Sequence, residues 1–182
     1  MNLEEKKIDS NVIYKGRIIN VYNDKVLLPN NNTSYREYVT HNGGSAIVPI
    51  TEDNCVLLVE QYRYPYAEVV LEIPAGKLEG GENPRTCAIR ELKEEVGGVS
   101  ENIIDLGVVY PSPGYTNEHL YIFLATNVKV YDTHFDDDEF LMTKKLPISD
   151  AIDMIMNNKI YDAKTIIGIL KAKNYLDSQR KK

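Results

Sequence analysis

Several features typical of secreted, membrane and nucleic-acid-binding proteins are scarce in this sequence of 182 residues. Two cysteines, Cys55 and Cys87, are too few for a disulfide framework or a zinc site, and we expect both to be reduced core thiols. No run approaches the roughly 20 apolar residues that span a bilayer. No apolar signal-peptide segment follows the charged N-terminus. These absences predict a cytoplasmic protein without membrane contact.

Basic residues are also in the minority. The chain has 21 Lys and Arg against 27 Asp and Glu, which gives a net charge of −6. A nucleic-acid binder usually carries a basic face, so nucleic acid is not an expected partner. An acidic protein that handles phosphates must supply positive charge locally, from a metal ion or from a few arginines.

Two regions are distinguished by their patterns. Residues 1–42 are β-rich, with the turn cluster Asn30-Asn31-Asn32 before a returning strand from Tyr35 to Val39. Residues 43–182 contain short apolar runs typical of buried strands, separated by helical patterns. This order predicts a mixed sheet between helices, an α/β sandwich, with a small additional N-terminal sheet.

The clearest helix is predicted after residue 83. Asn83 is a good N-cap, Pro84 suits the first helical position, and Gly97 can end the helix. Ala88, Leu92 and Val96 recur every four residues as one apolar stripe. Further helices are predicted over residues 150–156, capped by Ser149, and over residues 163–175.

Three glutamates lie on the opposite side of that helix. Glu91, Glu94 and Glu95 are three and four residues apart, and like charges at this spacing repel. The pattern makes physical sense if a hard divalent cation such as Mg²⁺ binds among them. Arg90 lies four residues before Glu94 and can orient its carboxylate. The alternative is a glutamate-rich helix face that simply meets water.

The surrounding spacing favours the metal. One stretch of the chain resembles the Nudix box. Its order is Gly76, five residues, Glu82, seven residues, Arg90-Glu91, an aliphatic residue, one residue, Glu94-Glu95, one residue and Gly97. Seven fixed identities would coincide by chance on the order of once in 10⁸ positions. The box normally closes with a bulky apolar residue where this chain has Gly98, and we expect that departure to affect stability slightly and chemistry not at all.

The resemblance implies a Nudix α/β/α sandwich with a catalytic loop–helix–loop. It implies that Mg²⁺ or Mn²⁺ is bound by Glu91, Glu94, Glu95 and the backbone carbonyl of Ala75, with Glu82 acting either on these ligands from behind or through a water. Such ions neutralise a pyrophosphate and lower the pKa of a bound water.

Segments outside the box are similar to the ADP-ribose pyrophosphatase subgroup. These are Ser112-Pro113-Gly114, Glu60-Gln61-Tyr62-Arg63 and Tyr35-Arg36-Glu37. The resemblance implies substrate contacts for a set of residues in them: Arg36, Glu37, Arg63, Pro113 and Gly114. It also implies a homodimer built through residues 1–42, whose partner completes the adenine pocket. Arg17 stands where some relatives carry an aromatic residue against adenine.

A second acidic cluster, Asp136-Asp137-Asp138-Glu139, follows the last predicted sheet strands. Alone, such a turn is usually solvated. Similar enzymes carry an acidic residue in this loop as metal ligand or general base. The resemblance therefore implies Glu139 as the first candidate and Asp137 as the second.

The sequence thus predicts hydrolysis of ADP-ribose to AMP and ribose 5-phosphate. Two alternatives remain open at this point. One keeps the reaction and changes the small-molecule substrate to another nucleotide sugar, such as GDP-mannose or ADP-glucose. The other is a non-catalytic Nudix domain that senses a nucleotide, although such domains usually lose box carboxylates that this chain retains.

Overall fold

A computed structural model describes residues 2–131 and 140–180. The chain forms two compact units, one of Met1–Gly43 with Tyr110–His119 and the other of Gly44–Val109 with Leu120–Lys182. The sequence-based division at residue 42 leaves residues 110–119 in the C-terminal part, whereas the structure groups them with the N-terminal strands. The backbone explains the difference, because Val39 N–H donates to the Tyr115 carbonyl at 2.8 Å.

The smaller unit contains a three-stranded antiparallel sheet in the order β1-β2-β3. Its strands are β1 (Lys6–Lys15), β2 (Asn20–Leu27) and β3 (Thr33–Thr40). The predicted asparagine turn joins β2 to β3, with Asn31 in the left-handed region at φ 66°. Every residue of β1 is exposed, including Ile8, Val12 and Tyr14.

The larger unit is built on an eight-stranded mixed sheet. Its strands are β4 (Gly44–Thr51), β5 (Cys55–Arg63), β6 (Glu68–Glu72), β7 (Ala75–Lys77), β8 (Gly98–Val99), β9 (Asn102–Val109), β10 (Leu120–Val130) and β11 (Leu141–Pro147). Five strands follow one another across the sheet in the order β11-β5-β4-β10-β8. Of the other three, β6 pairs with β5, β7 with β4 and β9 with β10. β4 and β10 run parallel, and the remaining pairs are antiparallel.

Both faces of this sheet are covered. Ile47 and Leu57 pack with the apolar stripe of helix α1 (Pro84–Val96) on one face. Their neighbours Val48 and Leu58 point the other way, onto helices α2 (Ile148–Met156) and α3 (Ala163–Arg180). Alternation along a strand sends successive side chains to opposite faces, so each central strand supplies both cores. The predicted α/β/α sandwich is confirmed.

Helix α1 begins and ends where the sequence predicts. The Asn83 side chain accepts a hydrogen bond from Arg85 N at 2.9 Å, and Pro84 occupies the first turn. Gly97 ends the helix at φ 61°, a left-handed conformation that favours glycine. The boundaries of the acidic helix therefore follow from local chemistry alone.

The two C-terminal helices differ from expectation. α2 begins at Ile148 after Pro147, so Ser149 is not its cap, and the Ser149 hydroxyl donates to Asp150 instead. The early start follows from burial of Ile148, whose N–H donates to the Asn54 carbonyl. α3 continues beyond the predicted residue 175 to Arg180.

The cysteines are free thiols, with Cys87 buried and Cys55 half-buried. Among residues 2–131 and 140–180, no helix combines the length and apolar character needed to cross a membrane.

Gly98 occupies a position with no space for a side chain. A Cβ there would lie 2.6 Å from Leu92 Cδ1 and 3.0 Å from Val128 Cγ1. These two side chains fill the space that the usual bulky residue of the box would take. The glycine is therefore matched to its neighbours.

We expect Gly98→Val to lower the free energy of unfolding by about 1–3 kcal/mol, because the new side chain overpacks the core. Thermal unfolding measures the effect. Gly80→Val is the matched control, since nothing lies within 4 Å of a Cβ at Gly80. Equal stability of the two variants would contradict this account of Gly98.

Candidate active site

The loop before α1 is attached to the central sheet. Ala75–Lys77 pairs with β4, so that Ala46 faces Ala75 and Ser45 faces Gly76. The Ser45 hydroxyl also donates to the carbonyl of Pro84 at 2.8 Å, which joins β4 to the first turn of α1. The loop and the helix are thereby held against one strand.

Arg90 is the centre of the acidic group on α1. Its Nη1 donates to Glu91 at 2.7 Å and to Glu94 at 2.8 Å. Its Nε and Nη2 each lie 3.3 Å from one Glu82 carboxylate oxygen. One guanidinium therefore bridges three carboxylates from the loop and the helix.

Two glutamates of the helix are buried despite their charge. Glu91 is 6% exposed and Glu95 is 3% exposed. Glu95 accepts a hydrogen bond from Ala75 N–H at 3.0 Å, next to the carbonyl expected to bind metal. Buried carboxylates need hydrogen bonds or opposite charge. Ala75 N–H supplies a hydrogen bond to Glu95, and Arg90 supplies a positive charge to Glu91.

Gly76 permits the closest approach in the site. A Cβ on Gly76 would lie 1.7 Å from Glu91 Oε1 and 2.2 Å from Glu91 Cδ. The Glu91 carboxylate therefore occupies the space that any other residue would fill. The first glycine of the box is required by this contact and not by backbone conformation.

The charges of the group shift its pKa values. Burial opposes the charged form of Arg90, yet hydrogen bonds with Glu82 and Glu94 and the charge of Glu91 raise its pKa above the ordinary value. The hydrogen bond from Arg90 is the main reason that the pKa of Glu82 is lowered. Glu82 is thus an anion, and Arg90 a cation, throughout the physiological range.

The carboxylates share one side of the loop and helix without converging on a point. Across residues 2–131 and 140–180, no three Asp, Glu, His or Cys side chains are grouped closely enough to surround a metal ion. The contacts explain the arrangement, because Arg90 attracts Glu91 and Glu94 whereas Ala75 N–H holds Glu95. Arg90 alone cannot neutralise four glutamates, so the group stays net negative.

Arg63 lies in the same unit, at the end of β5. It forms a fork with the buried carboxylate of Glu72, with Nε to Oε1 at 2.5 Å and Nη2 to Oε2 at 2.7 Å. This hydrogen bonding raises the pKa of Arg63, and the charges of Asp162 and Glu95 add to the effect.

The other expected substrate residues lie in the smaller unit. Arg36 on β3 forms a fork with Glu5, at 2.8 and 2.5 Å, which raises its pKa. Glu37 is an exposed neighbour on the same strand. Pro113 and Gly114 are exposed in the turn that Tyr115 N–H closes onto the Ser112 carbonyl.

The general-base candidates Glu139 and Asp137 lie outside the described residues, which end at 131 and resume at 140. Their role stays a prediction from the sequence.

The NUDIX domain model matches residues 41–166, which include the loop, the helix and most of the sandwich. The chain belongs to the Nudix family.

Individual relatives extend the similarity to the N-terminal strands. The ADP-ribose pyrophosphatase of Bacillus subtilis (strain 168) is 37% identical over 98% of this chain and 99% of its own length. The methanol dehydrogenase activator of Bacillus methanolicus is 42% identical over 91% of each chain. A crystal structure of an ADP compounds hydrolase superposes with a TM-score of 0.87, covers 98% of both chains and is 21% identical, which supports the fold alone.

Two ion pairs, one in each unit, escape sequence reasoning. Glu72 and Lys164, 92 residues apart, form an ion pair that no local spacing reveals. Glu5 pairs with Arg36 across 31 residues. A glutamate within the apolar run from Val69 to Ile73 was the available signal, because a carboxylate in a buried strand requires a partner.

We expect Gly76→Ala to displace the Glu91 carboxylate and to abolish most divalent-metal binding, since its Cβ would overlap Glu91. Isothermal titration with Mn²⁺ or Mg²⁺ measures the loss, expected to be at least about tenfold. Gly80→Ala in the same loop is the control and should bind metal as the wild type does. Wild-type metal affinity in Gly76→Ala would refute the assigned role of Gly76.

Proposed function

We propose that this Nudix protein hydrolyses the pyrophosphate bond of ADP-ribose, with Mg²⁺ or Mn²⁺, to AMP and ribose 5-phosphate. The observation that carries the proposal is the net-negative group on α1, with buried Glu91 and Glu95 beside the Ala75 peptide. A purely structural helix has no need to bury two carboxylates on its polar side. A site for a divalent cation does.

The donor set fits a hard divalent ion. Glu91, Glu94, Glu95 and the Ala75 carbonyl would hold it, and all are oxygen ligands. When bound, such an ion neutralises the pyrophosphate and generates a nucleophilic water near neutral pH. Arg90 holds Glu82, Glu91 and Glu94, which keeps their mutual repulsion low.

The choice of ADP-ribose rests on two supports. The first is the similarity, over nearly the whole chain, to a protein named ADP-ribose pyrophosphatase. The second is Arg63, which lies in the same unit as α1. The charge of Glu95 contributes to its raised pKa, and its guanidinium can bind a phosphate of the substrate. Arg36, Glu37, Pro113 and Gly114 are proposed to contact the rest of the substrate. Glu139, or else Asp137, is proposed to take the proton of the attacking water.

We expect AMP to form when the protein is incubated with ADP-ribose and Mg²⁺, as followed by chromatography. Glu95→Gln should lower kcat by about 100-fold or more, because it removes a charged ligand and weakens the hold on Ala75. Glu101→Gln is the control, since Glu101 is an exposed glutamate just beyond the helix. It should retain wild-type activity.

GDP-mannose and ADP-glucose at equal concentration test the substrate assignment. If kcat/KM is higher for either compound than for ADP-ribose, that compound is the better substrate of the same hydrolysis, and the ADP-ribose assignment is wrong. Tight binding of ADP-ribose without turnover would instead support a nucleotide sensor. Equal activity of Glu95→Gln and the wild type would remove α1 from the mechanism.

We further propose that residues 1–42 mediate a cytoplasmic homodimer. The supporting observation is β1, an edge strand whose ten residues are all exposed and include Ile8, Val12, Ile13 and Tyr14. Exposed apolar side chains grouped on an edge strand are typical of an interaction surface. A second copy of this strand is the proposed partner.

We expect the wild type to scatter light as a dimer at micromolar concentration. Val12→Glu should shift it toward the monomer, because a charge would be buried in the interface. Val99→Glu is the matched control on an exposed valine of β8. A wild-type monomer would contradict the proposed dimer.

A further inference from the structure

A second charged network lies beside the acidic helix, in the larger unit. Glu72 on β6, with its side chain 3% exposed, receives the fork of Arg63 and also pairs with the Lys164 ammonium. Lys164 in turn lies 3.1 Å from Asp162. Two cations and two carboxylates balance, so the buried Glu72 carboxylate is neutralised locally. Burial favours its neutral form, yet Arg63 and Lys164 hold the pKa of Glu72 below its ordinary value.

The fork fixes the orientation of the Arg63 guanidinium. Glu72 engages Nε and Nη2, which form one edge of the planar group. The Nη1 edge lies outside this pair, and 39% of the Arg63 side chain is exposed. A guanidinium offers five N–H donors, so the outer edge can hydrogen-bond a phosphate while the inner edge stays on Glu72.

The network is coupled to the metal helix through the chain itself. Glu72 begins the segment 72–75, in which every residue is anchored. Thr165 accepts from Ile73 N–H, the Pro74 carbonyl accepts from Ile47 N–H, and Ala75 N–H donates to Glu95. The Arg63 fork and the Glu95 contact are therefore at opposite ends of one short, rigid connection.

We propose that Glu72 is a positioning residue, which holds Arg63 so that its outer edge binds an anionic group of the substrate. Lys164 supplies the second positive charge that keeps Glu72 ionised. The inference rests on the proposed function in one respect, because it takes a pyrophosphate compound as the ligand. It adds a role for Glu72 and Lys164, which the family motif does not include.

A purely structural ion pair is the competing account. Removing one partner of a buried ion pair is destabilising, because it leaves the other charge buried without compensation. The two accounts therefore predict different results. Positioning predicts a change in substrate affinity that depends on Arg63, whereas a structural role predicts loss of stability that leaves KM unchanged.

The test compares Glu72→Gln, Arg63→Ala and the double variant on the nucleotide sugar that the wild type hydrolyses. We expect Glu72→Gln to raise KM about tenfold with kcat within about twofold, the pattern of lost ground-state and transition-state binding together. The double variant should match Arg63→Ala, because Glu72 acts through Arg63. Additive effects, or an unchanged KM in Glu72→Gln, would overturn the proposal.

Two matched variants keep the test decisive. Glu68→Gln lies on the same strand, is exposed, and should keep the wild-type KM. Arg63→Lys retains a cation for Glu72 but cannot use two edges at once, so its KM should approach that of Arg63→Ala at near-wild-type Tm. A wild-type KM in Arg63→Lys would refute the oriented fork even if Glu72→Gln fails to fold.

A direct binding measurement separates this inference from the proposed function. Calorimetric titration with inorganic pyrophosphate and Mg²⁺ requires no turnover. If no nucleotide sugar is hydrolysed, the proposed function fails, and about tenfold weaker pyrophosphate binding by Glu72→Gln would still support positioning. Equal pyrophosphate affinity of wild type and Glu72→Gln, with Glu68→Gln as control, would reject it.

Discussion

Electrostatic repulsion among the carboxylates of α1 is the constraint on which the surrounding structure depends. The helix is fixed to the sheet by its apolar stripe, so its glutamates cannot separate by moving the backbone. Arg90 reduces the repulsion through its contacts with three carboxylates, and the Ala75 N–H stabilises the carboxylate of Glu95. Because Gly76 has no side chain, the Glu91 carboxylate can occupy the space beside it. The residual negative charge is what a divalent cation would neutralise.

A second charged group, around Glu72, differs from the acidic helix because its charges balance. There two cations meet two carboxylates, and the network is closed. The acidic helix is underneutralised and the neighbouring network is neutral, although both use buried glutamates and arginine forks. On the functions proposed above, this difference in local charge would suit one group to a cation and the exposed edge of Arg63 in the other group to an anion.

Local patterns in the sequence predict much of this architecture. The cap at Asn83, the left-handed stop at Gly97 and the apolar stripe between them determine α1, and each is a short-range feature. The alternation of buried strands likewise predicts two cores, which Ile47 and Val48 confirm by packing on opposite faces. The Nudix motif identifies the acidic helix from the sequence alone.

Long-range pairing is what the sequence cannot supply. Nothing near Lys164 predicts its contact with Glu72, and nothing near Val39 predicts that residues 110–119 join the N-terminal strands. The start of α2 differs from the sequence-based expectation for a similar reason, because burial of Ile148 and its hydrogen bond to Asn54 outweigh the local preference for Ser149 as a cap. Proximity in space, rather than spacing along the chain, determines these features.

The position of Cys87 has a consequence for chemical durability. Its thiol belongs to the acidic helix α1 and lies near the carbonyls of Gly76 and Lys77, with Sγ 3.5 Å from Arg90 Nη2. Burial, together with the charges of Glu82 and Glu91, raises the pKa of Cys87 to about 12. The thiolate, which is the form that oxidants and alkylating agents attack, is therefore disfavoured at pH 7. Burial first, and the negative charge crowded around the same helix second, thus protect Cys87 from peroxide and electrophiles.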